Sequence, residues 1–265
     1  MIAAVASPAA ECAREFRPRV IPVLLLRQRL LYKPIKFGRA TYVGDPRVAV
    51  KILNDKGADE LVLLDMSANE RADPDFDLIE EIAGECFMPM AYGGGIRNQD
   101  QAARLLALGL EKVVLGTAAV ENPELVTRIA HGFGSQAVAA CLDVRKPFFG
   151  GYRVYTRSGR RKTPREPVEC ARALQSAGAG EILLQSMDRE GTRTGYDLDL
   201  IREVSGAVDV PVVALGGAGR VGHLRDAVEA GASAAAAGTL FVLSGPHRAV
   251  LVTYPTAEQL EALFA

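Results

Sequence analysis

Tryptophan is missing from the 265-residue chain, histidine occurs three times, and the four cysteines lie far apart. Cys12, Cys86, Cys141 and Cys170 form no Cys-x-x-Cys pair and no metal-ligand spacing, which speaks against a disulfide framework and a zinc site. Free, mostly buried thiols in a reducing cytoplasm are the expectation. His131, His223 and His247 have no ligand partners close in sequence. They are read as structural, and neither a metal nor a cofactor is expected. No apolar run approaches the roughly 18 residues that a membrane helix needs. With 31 Lys and Arg against 32 Asp and Glu, the net charge of -1 gives no electrostatic reason to bind nucleic acid or an anionic membrane. Residues 1–15, MIAAVASPAAECARE, lack the basic leader and apolar core of a signal peptide. They read as a flexible extension ahead of one domain over 16–265.

What is present alternates. Short apolar runs at Val20–Leu26, Glu60–Asp65, Phe87–Tyr92, Lys112–Gly116, Gln136–Asp143, Glu181–Ser186, Val210–Leu215 and Ala234–Gly238 read as strands. They are near-continuously apolar, as strands covered on both faces are. Amphipathic helix patterns separate them, with start signals such as Asp45-Pro46 and Asn122-Pro123. Eight such units in a chain of this length favour a closed (β/α)8 TIM barrel over an open doubly wound sheet. A repeat supports this. GADELVLLDM at 57–66 matches GAGEILLQSM at 178–187, MPMAYGGGIR at 88–97 matches VPVVALGGAGR at 210–220, and Gly116-Thr117 matches Gly238-Thr239. The chain therefore reads as two fused half-barrels.

Gly93-Gly94-Gly95 and Gly216-Gly217-Ala218-Gly219 each follow a strand and precede a helix pattern. Glycines there let the backbone approach a ligand, and the next helix offers free N–H groups to an anion. Each is paired with a second small turn, Gly116-Thr117 or Gly238-Thr239, one strand further on. Two such patches suggest a ligand with phosphates at both ends, although the glycines could also serve only as tight barrel corners. Asp143 closes its strand and so stands at the mouth, where barrel catalysis occurs. Asp65 and Ser186 end their strands likewise. In the repeat Leu24-Leu25-Leu26 aligns with Leu142-Asp143-Val144, so Leu25 stands where the second half has an acid.

At the opposite end Arg19, Glu60, Lys112 and Glu181 each stand at a strand start. They are either solvated rim charges or a paired ring around the barrel axis. A buried cluster of that kind is costly unless well paired. FFGGYRVYTRSGRRK at 148–162 alternates as a small β-hairpin does. Its Arg160, Arg161 and Lys162 are either contacts for an anionic substrate or a solvated charge run.

From Arg19 to about Phe241 the sequence resembles the cyclase subunit family of imidazole glycerol-phosphate synthase, through GDPRVAVKILNDKGADELVLLD, YGGGIR, TAAVENPELV, FGSQAV, GAGEILLQSMDREGTRTGYDLDLI and GGAG. The resemblance implies a bis-phosphorylated substrate across the mouth and a glutaminase subunit that feeds ammonia through the barrel. It assigns one phosphate cradle to Gly95 and Thr117, and the other to Gly191, Gly217, Gly238 and Thr239. It makes Arg19, Glu60, Lys112 and Glu181 the charged gate at the ammonia entrance, and Asp143 a catalytic acid or base. Lys33, Asp65 and Ser186 are candidate substrate contacts.

The departures redirect this reading. The family's paired catalytic aspartates fall on Leu25 and Asp143, so one is absent. A family serine is Leu215 here, and an aspartate is Glu190. The segments LLYKPIKFGRATYVGDP and SGPHRAVLVTYP are similar to the acetamidino-modification branch of the family, found with bacterial surface-polysaccharide genes. The expected partners are a glutaminase, a phosphorylated or nucleotide-sugar small molecule and a separate sugar amidotransferase. Two alternatives stand beside this: a histidine-pathway cyclase acting as a lyase, and a non-catalytic scaffold that binds a phosphorylated ligand and regulates its glutaminase.

Overall fold

The computed structural model describes residues 17–68 and 73–265, so the extension over 1–15 and Cys12 lie outside the described residues. Eight parallel strands form the barrel: β1 (Arg19–Arg27), β2 (Leu61–Asp65), β3 (Met90–Gly93), β4 (Lys112–Leu115), β5 (Val138–Arg145), β6 (Glu181–Ser186), β7 (Val212–Leu215) and β8 (Ala234–Ala237). Each pairs with the next, and β8 pairs back onto β1 from Arg19↔Ala234 to Pro22↔Ala237. Helices alternate with the strands, which makes the fold a (β/α)8 TIM barrel.

Side-chain alternation explains the closure. Along β1, Ile21, Val23 and Leu25 join the cluster inside the barrel, while Val20, Leu24 and Leu26 join the larger cluster under the helices. Each fully buried Leu, Ile or Val contributes about 1.5–3 kcal/mol relative to exposure. Helix starts follow local chemistry. Asp45 accepts from the Arg47 backbone N–H, with Pro46 in the first helical turn of Pro46–Asp55. Asn98 and Gln101 make a reciprocal capping box for Gln99–Ala107.

Four strands start later than their apolar runs imply, β2 by one residue, at Leu61 rather than Glu60. β3 begins at Met90 rather than Phe87, whose ring is 87% exposed. The Asn54 side chain takes the Phe87 N–H, and Pro89 has no N–H to give a ladder. A 3-10 turn over Ser135–Ala137 delays β5, and β7 starts only after Pro211.

Two antiparallel hairpins stand on the mouth. One, Leu30–Pro34 with Ala40–Gly44, was not evident in the sequence and folds back on β1 through Leu26↔Leu31. The other, Arg153–Thr156 with Arg161–Lys162, joins β5 through Asp143↔Tyr155. Strand register matches the halves: Leu25 lies beside Leu64 on β2, and Asp143 lies beside the repeat equivalent of Leu64, Gln185 on β6.

Candidate functional site

The mouth holds a cavity of about 1070 Å³. Leu25, Asp65, Gly95, Thr117, Cys141, Asp143 and Glu190 line it, together with the tips of both hairpins. Asp143 is enclosed by protein yet keeps a face on this space. Burial raises its carboxyl from 3.8 to about 7, a bond from the Cys141 thiol opposing and the charge of Glu190 adding. The thiol lies 3.9 Å from Oδ1. Burial, helped by Asp143, pushes Cys141 well above its ordinary value, so it is a neutral donor rather than a nucleophile. A carboxyl near 7 exchanges protons around neutrality, as a general acid or base must. Leu25 lines the same cavity and supplies no second acid.

Asp65 serves its own loop: Oδ1 accepts from the Ser67 N–H at 2.8 Å, the Ser67 hydroxyl at 2.7 Å and the Ala68 N–H at 3.2 Å. Ser186 is buried at the foot of the strand-6 loop, where its carbonyl accepts from the Glu190 N–H at 3.0 Å.

The two glycine patches differ in access. Gly95 and Thr117 both line the cavity, and the Thr117 hydroxyl accepts from the Arg157 N–H at 2.8 Å. Gly191, Gly217, Gly238 and Thr239 do not line it. A Cβ on Gly238 would strike the Lys33 ammonium, one on Gly217 the Gly195 carbonyl, and one on Gly191 the Pro34 carbonyl at 2.6 Å. Lys33 and Glu190 form an ion pair, each only 3% exposed, which draws the first hairpin across to the loop after β6. Thr239 is buried with no hydrogen-bond partner for its hydroxyl.

At the other end Arg19 pairs with both Glu60 and Glu181, and Lys112 pairs with the same two carboxylates at 3.0 and 3.4 Å. The four charges alternate in a closed ring below the apolar interior. Both carboxylates and Lys112 are buried. Among the described residues no group of three or more His, Cys, Asp or Glu could hold a metal, and no helix is long and apolar enough to cross a membrane. His223 is structural in its contacts, its Nδ1 accepting from the Gly219 N–H at 3.1 Å.

The family model described as histidine biosynthesis protein matches residues 19–245. The chain belongs to that family. It is 49% identical over 247 residues to a Pseudomonas aeruginosa protein provisionally named imidazole glycerol phosphate synthase subunit hisF2, covering 92% of this chain and 98% of that one. It is 46% identical over 254 residues to a Vibrio vulnificus protein provisionally named as subunit hisF3, covering 94% and 98%. An Alkaliphilus metalliredigens protein named imidazole glycerol phosphate synthase subunit HisF is 43% identical over 225 residues, 84% of this chain and 89% of its own. The barrel is therefore cyclase-like.

Sequence reasoning singled out Arg160 but passed over six other charged residues of the mouth: Arg27, Lys36, Arg97, Glu121, Arg145 and Arg157. Arg27 ends β1 and Lys36 sits in a hairpin turn. The only available signal was their strand-end and turn placement, which hydrophobic patterning ignores.

Proposed function

We propose that this chain is the barrel subunit of a glutamine-dependent system. It docks a glutaminase, itself a glutamine amidotransferase, at the charged ring and conducts ammonia to the mouth. The ammonia serves acetamidino modification of a bacterial surface sugar, carried out with a separate sugar amidotransferase on a phosphorylated or nucleotide-sugar substrate. The observation that carries this is the closed ring of Arg19, Glu60, Lys112 and Glu181 under a barrel lined by small and branched apolar side chains, among them Ala91, Ala139, Ala234 and Ala236. Neutral ammonia crosses an apolar lining, whereas ammonium would have to shed its hydration at a far larger cost. The ring selects the uncharged form only if its pairs part, and a docked partner can bias that opening. In this reading Gly95 and Thr117 hold a phosphate at the open cradle. Asp143 handles a proton, while Lys33, Asp65 and Ser186 shape the mouth.

The Leu25 substitution and the Lys33–Glu190 pair against Gly238 support a role other than closing the imidazole ring of a bis-phosphate. The histidine-pathway cyclase remains the second reading, favoured by the names of the relatives and by a carboxyl at Asp143 that titrates near 7. A scaffold that regulates a glutaminase is the third.

Lys112→Met separates them. In the reconstituted system the variant should hydrolyse glutamine yet lose most glutamine-dependent amidination, while ammonium salts still support the product. Unchanged glutamine-dependent amidination would sink the conduit. Ring closure of the cyclase substrate at ordinary turnover, with ammonia supplied, would put the second reading first. Amidination that never needs the barrel would leave the scaffold.

A further inference from the structure

The cations around the mouth divide into two sets. Arg29 holds Asp75 at 3.1 Å, Arg145 holds Asp188 at 3.3 Å, Arg153 holds Glu166 at 3.0 Å, and Arg157 and Arg161 share Glu121 at 3.4 and 3.1 Å. Among the described residues, Arg27, Lys36 and Arg160 hold no carboxylate. All three line the cavity. Arg27 reaches only the Tyr32 ring, 6.0 Å from its centroid. The other two come from separate hairpins that touch, since a Cβ on Gly159 would lie 3.4 Å from the Phe37 ring. The backbone holds the first hairpin in place: the Lys36 N–H donates to the Glu190 carbonyl at 2.9 Å.

We propose that Arg27, Lys36 and Arg160 form an anion subsite for a diphosphate group, distinct from the glycine cradle at Gly95 and Thr117. Arg145 and Arg157 line the same cavity but are held by Asp188 and Glu121, whereas Arg27, Lys36 and Arg160 leave their charge to what the cavity takes in. Three cations without a carboxylate on the wall of one cavity leave positive charge that a compact polyanion relieves. Arginine forks match phosphoryl oxygens two at a time, and lysine adds a point charge. Two joined phosphoryl groups bring close to three negative charges, matching three cations, whereas a single phosphate is already served by the cradle. The subsite stands whether or not the mouth serves amidination.

Binding alone tests it, without any activity. Calorimetry at low salt should show inorganic pyrophosphate bound by the wild-type barrel, at least tenfold tighter than inorganic phosphate. Arg27→Gln with Arg160→Gln should weaken pyrophosphate by roughly a hundredfold, about tenfold for each charge removed. Arg29→Gln, which removes a paired charge outside the cavity, should leave that affinity within threefold. A nucleoside diphosphate should follow pyrophosphate across the variants. Unchanged circular dichroism of the exposed double variant checks its fold. If pyrophosphate does not bind, binds no better than phosphate, or binds the double variant as tightly as the wild type, the subsite does not exist.

Discussion

In the first half-barrel Leu25 lies in register with Leu64; in the second, Asp143 lies in register with Gln185. The backbone plan is the same and the fillings differ. The first half keeps an open cradle and has Leu25 at the position where the second half has Asp143. The second half keeps the acid and has its cradle covered by Lys33 and the Gly195 carbonyl. Each half therefore retains what the other lacks, and a ligand held at Gly95 and Thr117 must reach across the mouth to meet Asp143. Duplication fixes strands and turns, because those depend on backbone and apolar pattern. The chemistry of each half depends on a few side chains and diverges freely.

The largest difference should appear at the matched glycines. Gly217, at φ +110, would drive a Cβ into a backbone carbonyl that cannot move alone, whereas Gly95, at φ +72, would meet the Ala68 methyl at 2.9 Å. Left-handed backbone costs a non-glycine residue about 1–2 kcal/mol, and overpacking adds about 1–3. Gly217→Ala should lose about 4 kcal/mol in urea denaturation and Gly95→Ala about 2. Equal losses would mean that the two cradles are equally tight.

The acid sets the next difference. Asp143 ionises near 3.8 when unfolded and near 7 when folded, so the native state holds the proton more strongly. Its favourable contribution is complete below 3.8 and is lost as pH rises through 7. A shift of that size corresponds to about 4 kcal/mol at most, and water reaching the carboxylate from the cavity reduces it to roughly 2. Asp143→Asn should match wild type at pH 4 and exceed it by roughly 2 kcal/mol at pH 8.5. Leu25→Asp should push the Asp143 midpoint higher, because a further carboxylate then faces the same cavity. A flat difference between pH 4 and 8.5 would show that Asp143 is ordinarily solvated.

The contrast between halves also marks how far sequence reading reaches. Strands were legible because their apolar runs are dense, and the repeat placed Leu25 opposite Asp143 before any register was seen. Phe87 misled because aromatic, apolar character is strand-like, while Asn54 and Pro89 decide where the ladder begins. The hairpin over Leu30–Pro34 and Ala40–Gly44 was hidden by Pro34 inside its first short strand and by the lysine and glycine of its turn. Arg19, Glu60, Lys112 and Glu181 could be placed at one end from strand starts, but who pairs with whom follows from closing β8 onto β1. The Lys33–Glu190 pair spans 157 residues and left no local trace.

The smallest difference lies in two hydroxyls at equivalent positions. Thr117 and Thr239 each follow the glycine that opens a short helix, Thr117–Glu121 or Thr239–Val242. The Thr117 hydroxyl accepts from the Arg157 N–H, so valine there would strand a donor from the second hairpin and cost about 1 kcal/mol. The Thr239 hydroxyl is buried without a partner, so it already bears the cost of desolvation. Valine of nearly the same shape removes that burden, and Thr239→Val should be neutral or up to about 1 kcal/mol more stable. The pair of melting curves needs no ligand. If both variants lose stability equally, the Thr239 hydroxyl has a partner in solution, and its cradle is wetter and more open than the contacts of Lys33 imply. If only Thr117→Val loses, the covered cradle is a dry relic of the duplication, and of the two glycine cradles only that of the first half-barrel can take an anion.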